Sequence, residues 1–178
     1  MFYKDERMAV LIDGVNFHNA ARAHDIQVDY RKLRSEFAGR GKLVRCFYYA
    51  VEKHDAEEVP IRRLLDYLDY NGFTIKTDVA RHDDPSAFRR AKSCLLMELA
   101  MDAVSLIDRV DHFIIMCGDR EILPLVAMLK RAGTRVSICA TRQGADGGTI
   151  SDELRRAADN FIELGDLAGV ISRQDMAA

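Results

Sequence analysis

Six short apolar runs recur along this chain, and a segment with helical periodicity follows most of them. Each run has the length and the β-branched or aromatic content of a buried strand. The runs occupy residues 8–12, 43–50, 73–79, 112–116, 136–140 and 161–164. Alternation of strands and helices is typical of a parallel sheet with helices on both faces. The sequence therefore predicts an α/β fold with a mainly parallel central sheet.

Length and composition predict one domain. The chain has 178 residues, of which 48% are hydrophobic and 30% charged, enough to enclose a core of ordinary size. It contains no internal repeat, low-complexity tract or linker rich in Pro, Gly and Ser. Since the formal net charge is only -2, binding of nucleic acid would depend on a local basic patch.

The sequence predicts a cytoplasmic protein. No apolar run approaches the roughly 18 residues of a membrane span, and the opening "MFYKDERMAV" lacks the apolar core of a signal peptide. The cysteines at positions 46, 94, 117 and 139 are far apart and form no C-x-x-C pair. We expect four buried free thiols, because intracellular chains seldom keep disulfides.

Acidic residues follow two of the predicted strands. Asp13 ends the first run in "VLIDGVNFHNA", with Asn16 close behind, and "HFIIMCGDRE" places Asp119 and Glu121 just after the fourth. Either acid alone would also suit a helix N-cap. Together at the carboxyl ends of neighbouring strands, where sites form in open parallel sheets, their oxygens predict a site for Mg²⁺ or Mn²⁺. This site requires the first and fourth strands to be adjacent.

The segment "KSCLLMELAMDAV", residues 92–104, predicts a helix that could add a third acid. Its leucines and alanines form one apolar stripe at 100° per residue, with Glu98 and Asp102 on the flank of that stripe. Asp102 is therefore a candidate site residue. Both acids also fit the solvated edge of a core helix.

Four separated motifs carry a family resemblance. "VLIDGVNFH", "MELAMDA", "IIMCGDREILPLV" and "ISDELRRAADNFIEL" resemble, in this order, the LabA-like branch of the NYN-domain family, within the PIN-like nuclease superfamily. The likeness spans residues 6–167 and leaves 168–178 as a C-terminal tail. It implies a PIN-like, Rossmann-like sheet flanked by helices and metal-dependent cleavage of RNA.

Two motifs depart from the family pattern. The family commonly reads Lys-Gly-x-x-Asp in the helix, and this chain keeps Lys92 but has Ser93 and Leu96 in place of the glycine and the acid. The family's Ser-Gly-Asp-x-Asp becomes Cys-Gly-Asp-Arg-Glu at residues 117–121. One expected metal ligand is therefore missing, and another is longer by one methylene.

The resemblance assigns roles to the acidic residues. Asp13 and Asp119 are implied as direct metal ligands, and Glu121 as a ligand that acts directly or through water. Asn16 would orient a water or a phosphate, and Asp102 would act through water. The implied reaction is attack of water on an RNA phosphodiester, for which the cation lowers the pKa of the water.

Basic residues near the same sheet edge predict contacts with RNA. We expect Arg89, Arg90, Lys92 and Arg120 to contact phosphates, although surface arginines are commonly just solvated.

Two hypotheses remain open. The chain is either a metal-dependent ribonuclease with an altered site, or a catalytically degenerate pseudo-nuclease that binds RNA or a protein partner, with a homodimer compatible with both. Phosphatases of the haloacid-dehalogenase type are disfavoured because Asp13-Gly14-Val15 lacks their Asp-x-Asp, and no Walker motif occurs.

Overall fold

The computed structural model describes residues 1–53, 59–80, 84–144 and 149–173, and those residues contain one six-stranded sheet. The strands are β1 (Arg7–Asp13), β2 (Lys42–Lys53), β3 (Thr74–Ala80), β4 (His112–Met116), β5 (Arg135–Ala140) and β6 (Asn160–Glu163). All neighbouring pairs are parallel, in the order β3-β2-β1-β4-β5-β6. The predicted α/β class is confirmed, and β1 lies beside β4 as the predicted site requires.

Helices cover both faces of this sheet. They are α1 (Gly14–Ala23), α2 (Tyr30–Arg40), α3 (Val59–Tyr70), α4 (Pro85–Ser105), α5 (Leu123–Arg131), α6 (Asp152–Ala157) and α7 (Ala168–Ile171). Side chains of the type preferred at N-caps begin several of them, since Asp29, Asp84 and Ser151 accept backbone hydrogen bonds at the starts of α2, α4 and α6. Within the described ranges, no helix has the length and apolar content needed to cross a bilayer.

The central strands are buried on both faces, which explains their continuous apolar runs. In β1, Met8, Val10 and Ile12 pack into one layer of the core, while Ala9 and Leu11 pack into the opposite layer. Because the side chains of a strand alternate between faces, the residue after Ile12 also points to the second face. That residue is Asp13.

Helix α4 packs its predicted apolar stripe into the second layer. Leu95, Leu99 and Ala103 are buried, and Leu96 is half-buried at the edge of the stripe. Cys94 corrects one expectation, because it is exposed, whereas the other three cysteines are buried. Successive side chains of a helix are rotated by about 100° around its axis, so Cys94, which precedes the buried Leu95, points away from the sheet.

The chain after residue 167 continues to pack on the domain as far as it is described. Ile171 in α7 is fully buried. Its carbonyl accepts a hydrogen bond from the amide of Asp29, and Ser172 forms a β-bridge with Val28. The first part of the predicted tail therefore belongs to the folded body, and residues 174–178 lie outside the described ranges.

Candidate metal centre

Two strand tips form a compact group of ligand atoms. Ile12 pairs with Met116 in the register of β1 and β4, so the residues that follow them, Asp13 and Cys117, are neighbours on the same face. Asp119 comes two residues later. One carboxylate oxygen of each acid and the sulfur of Cys117 all lie within 4.8 Å of one another. Among the described residues this is the group of acids, cysteines and histidines compact enough to share a metal ion.

Asp13 also caps α1. Its Oδ1 accepts hydrogen bonds from the backbone amides of Val15 at 3.1 Å and Asn16 at 3.2 Å. The side chain is buried, and this burial raises its pKa, although the charge of Lys92 opposes the rise. The alternative raised by the sequence, an N-cap, is therefore realised at the same residue as the candidate ligand.

Asn16 ties the first helix to the end of β4. Its Oδ1 accepts a hydrogen bond from the amide of Gly118 at 2.8 Å, and its Nδ2 donates to Oδ1 of Asp119 at 3.3 Å. Gly118 leaves little room for a side chain, because a Cβ there would lie 3.0 Å from the carbonyl oxygen of Thr149. Asn16 thus holds Asp119 in place beside Asp13.

Lys92 places a positive charge in this group. Its Nζ lies 2.5 Å from Oδ2 of Asp119. Burial alone would lower the pKa of Lys92, but the hydrogen bond to Asp119 and the negative charges of Asp13 and Asp119 outweigh burial, so the pKa is raised. The ammonium therefore occupies one oxygen that a cation would also need.

Cys117 is the member of the group that the sequence did not single out. Its thiol donates a hydrogen bond to Oδ2 of Asp13, with a sulfur to oxygen distance of 3.6 Å. Complete burial and the neighbouring carboxylates raise the pKa of this thiol well above its ordinary value. A cysteine at the end of an apolar strand is usually a core residue, and its place in the -Cys-Gly-Asp- motif was the signal available in the sequence.

The structure does not bring Asp102 into the group. It lies on α4 ten residues after Lys92, which corresponds to about 15 Å along a helix. Its carboxylate accepts a hydrogen bond from Tyr49 at 3.0 Å and lies 3.7 Å from the ammonium of Lys76. The described contacts of Asp102 include none with the acidic group. Helical periodicity predicted the face of α4 on which Asp102 lies, but not its position along the sheet.

Glu121 is also outside the group. It is exposed in the short 3₁₀ turn Arg120–Ile122 that follows Asp119. Together with Leu96 it lines an apolar groove between α4 and α5. Glu121, which is one methylene longer than the aspartate of the family pattern, is therefore directed towards the surface. The role of Glu121 as a metal ligand stays a prediction.

The predicted basic residues differ in their exposure and in their partners. Lys92 lies within the centre. Arg89 and Arg90 are exposed in the second turn of α4, where Arg90 pairs with Asp84 at 3.0 Å. Arg120 is 69% exposed and lies 3.4 Å from Glu153, also on the surface. These exposed ion pairs are weak enough to exchange for contacts with a phosphate.

A cavity of about 440 Å³ is lined by residues that are neighbours in sequence of Asp13 and Lys92. Gly14, directly after Asp13, lines it with His18 and Tyr48, and Phe88, four residues before Lys92, closes another side. Phe17, by contrast, is buried in the core. Phe88 therefore lines this cavity, whereas Phe17 does not.

The donor set suits a divalent cation. The two carboxylates are the hard ligands that Mg²⁺ and Mn²⁺ prefer, and the buried Asp13 is stabilised in its charged form by a nearby positive charge. Asp13 and Asp119 would hold the ion from two strands, with Asn16 fixing the second carboxylate. A cation would have to replace the ammonium of Lys92 at Asp119.

Comparison with known proteins agrees with this architecture. The model of the NYN domain matches residues 7–165. The low amplitude and bright protein LabA of Synechococcus elongatus is 26% identical over 98% of this chain and 92% of its own length. A Vibrio parahaemolyticus protein of unknown function, VPA0982, shares the fold with a TM-score of 0.70 and 23% identity, covering 92% of this chain and 96% of that one. With its sheet order, its acidic strand tips and the family match over most of its length, this chain belongs to the NYN domain family, in agreement with the LabA-like resemblance.

Proposed function

We propose that this chain binds a divalent cation, Mg²⁺ or Mn²⁺, and an RNA phosphodiester at the centre formed by Asp13 and Asp119, and hydrolyses that phosphodiester. The convergence of these two carboxylates at neighbouring strand tips carries the proposal. Membership of the NYN family supports the proposal, because the family resemblance implies metal-dependent cleavage of RNA. A net charge of -2 requires local basic residues to hold the RNA.

Four residues at the centre have a task in the proposed reaction. Asp13 and Asp119 hold the cation, which when bound lowers the pKa of the attacking water and balances charge that develops on the phosphate. Asn16 keeps Asp119 oriented through its 3.3 Å hydrogen bond. Lys92, which lies 2.5 Å from Asp119, would supply a positive charge to the reacting phosphate.

Exposed arginines would position the rest of the strand. Arg89 and Arg90 lie on the turn of α4 before Lys92, and Arg120 follows Asp119 directly. Contacts of this kind go to phosphates and carry no sequence information, so binding should be largely independent of sequence.

A second candidate function is a pseudo-nuclease that binds RNA or a protein without cutting. The specific observation in its favour is the composition of the group, which among the described residues has two carboxylates together with a thiol and the ammonium of Lys92. Leu96 places an apolar side chain where the family pattern has an acid. Fewer carboxylates weaken metal affinity and therefore turnover.

An RNA cleavage assay separates these functions. End-labelled single-stranded RNA is incubated with the protein in Mn²⁺, in Mg²⁺ and in chelator, using wild type, Asp13→Asn and Glu98→Gln. Glu98 is the matched control, because it is an acid on α4 that lies 3.7 Å from Lys76, outside the centre. We expect cleavage that chelator and Asp13→Asn abolish and Glu98→Gln preserves.

RNA binding is measured on the same variants by fluorescence polarisation over a range of salt concentrations. Counterion release gives a log-log slope of about -0.7 per phosphate contacted on a single strand. Salt-sensitive binding without cleavage would establish the second candidate. Absence of both binding and cleavage would contradict a role on RNA.

A further inference from the structure

We propose that Cys117 is itself a metal ligand, and that the centre is a mixed carboxylate and thiolate site that favours thiophilic divalent cations such as Zn²⁺. The inference rests on the proposed function in one respect, the placing of a cation at Asp13 and Asp119. It goes further in naming the third ligand and the class of cation that this ligand selects.

The position of the sulfur follows from the sheet. Cys117 and Asp13 extend the parallel register of Ile12 with Met116, which places both side chains on one face of adjacent strands. The Cys117 sulfur lies 3.6 Å from Oδ2 of Asp13, and both lie within 4.8 Å of a ligand oxygen of Asp119. The thiol is therefore directed towards the carboxylates and not away into the apolar layer alone.

The separation between the Cys117 sulfur and Oδ2 of Asp13 fits tetrahedral coordination. Zinc binds sulfur at about 2.3 Å and carboxylate oxygen at about 2.1 Å, so a tetrahedral angle places the two ligand atoms about 3.6 Å apart. This agrees with the distance between Cys117 and Asp13. The same distance also allows the hydrogen bond from the thiol to the carboxylate. The two side chains can therefore keep this separation whether they share a hydrogen bond or a cation.

The chemistry of the three donors determines which cation is favoured. Thiolate is a soft ligand that suits Zn²⁺ and related ions and contributes little to Mg²⁺, whereas carboxylate accepts either class. Two carboxylates and one thiolate give the same number of protein ligands as a catalytic zinc site, and binding would displace the ammonium of Lys92 from Asp119. On binding, the S–H bond of Cys117 breaks, the sulfur binds the cation, and the proton passes to solvent.

Cobalt reports directly on this ligand. Co²⁺ is titrated into the full-length protein in chelator-free buffer, and the charge-transfer absorption that arises from thiolate bound to Co²⁺ is followed in the near ultraviolet. Wild type and Cys94→Ser should both give the band, while Cys117→Ser should lose it. Cys94 is the matched control because it is an exposed thiol on α4.

Competition between metals gives a second readout. Any site of this kind binds Zn²⁺ more tightly than Mn²⁺, so the informative quantity is the change in their ratio on substitution. We expect Cys117→Ser to weaken Zn²⁺ binding by at least the roughly 10- to 100-fold that loss of an outer-shell partner costs, with a much smaller effect on Mn²⁺. Cys117→Ala should show the same change in ratio if the serine variant does not fold.

The outcomes separate the inference from the proposed function. A band that survives Cys117→Ser and disappears in Cys94→Ser overturns the inference, and so does an unchanged ratio of Zn²⁺ to Mn²⁺ affinity. If Mn²⁺ still binds in either case, the proposed cation site stands without its thiolate. If wild type binds neither ion, both the inference and the metal dependence of the proposed function are wrong.

Discussion

Replacing Asp13 with asparagine separates its two structural roles. Asparagine and aspartate are comparable N-caps, so the hydrogen bonds to the amides of Val15 and Asn16 should be kept. Asp13→Ala removes them and should cost about 1 kcal/mol. Asp13→Asn should therefore fold normally while losing the charge that attracts a cation.

The pH dependence of this variant has a definite sign. Burial raises the pKa of Asp13, so the unfolded chain ionises first as the pH rises through its ordinary value of about 3.8. The wild type then loses stability relative to Asp13→Asn until the pH exceeds the folded-state pKa. Without metal, the variant should be at least as stable as wild type at neutral pH, and this difference should disappear in acid.

Metal reverses the order. At an Mn²⁺ concentration about 100-fold above its dissociation constant, binding to the folded state adds about 2.7 kcal/mol. For a chain of this length that corresponds to a rise of about 5 to 10 °C in Tm. Thermal denaturation of wild type, Asp13→Asn and Asp13→Ala in Mn²⁺ and in chelator measures this Mn²⁺-induced rise in Tm. An equal Mn²⁺-induced shift in wild type and Asp13→Asn would refute the reasoning, because the ion would then bind elsewhere.

Three further predictions concern Lys92, Leu96 and His112. Lys92→Met removes the ammonium 2.5 Å from Asp119, so calorimetry should show tighter Mn²⁺ binding, while polarisation shows weaker RNA binding. Leu96→Asp restores the family acid and should raise Mn²⁺ affinity and RNA cleavage. In chelator the variant should be less stable than wild type, because an unpaired carboxylate is costly to bury. Full RNA cleavage by wild type, with no increase in Leu96→Asp, would contradict this prediction. His112 is buried, and burial is the chief reason that its pKa is lowered to about 4. The free energy of unfolding, measured by urea denaturation, should therefore fall by up to about 3 kcal/mol as the pH drops from about 6.5 to 4. His112→Gln should flatten this part of the pH curve.

The strands, and the adjacency of β1 and β4, were predictable because two physical constraints coincide in them. Strands buried on both faces must be apolar throughout, and this made β1 and β4 recognisable in the sequence. Parallel strands end at one edge, so acids after two strands that must be neighbours could be placed together. The proximity of Asp13 and Asp119 followed from that reasoning, and the structure places their ligand atoms within 4.8 Å.

The helical contribution to the site was harder to predict, because periodicity fixes a direction around the axis and not a height along it. Lys92 and Asp102 were both assigned to the site from one helix, yet about 15 Å of helix separates them. Lys92 reaches Asp119, whereas Asp102 pairs with Tyr49 on β2. The height of α4 against the sheet depends on packing of the whole stripe, which no short motif encodes.

We expect the ammonium of Lys92 to couple the proposed metal binding to the proposed RNA binding. In the structure it neutralises Asp119 and acts electrostatically on Asp13, as a cation at the centre would. A divalent ion that takes this place leaves the lysine without its carboxylate partner in a half-buried position, where an unpaired charge is unfavourable. A phosphate oxygen would restore a partner to the ammonium, so occupancy by the ion should favour RNA and bound RNA should favour the ion. By linkage the two effects must be equal in free energy, and Lys92→Met should remove this part of the coupling in both directions.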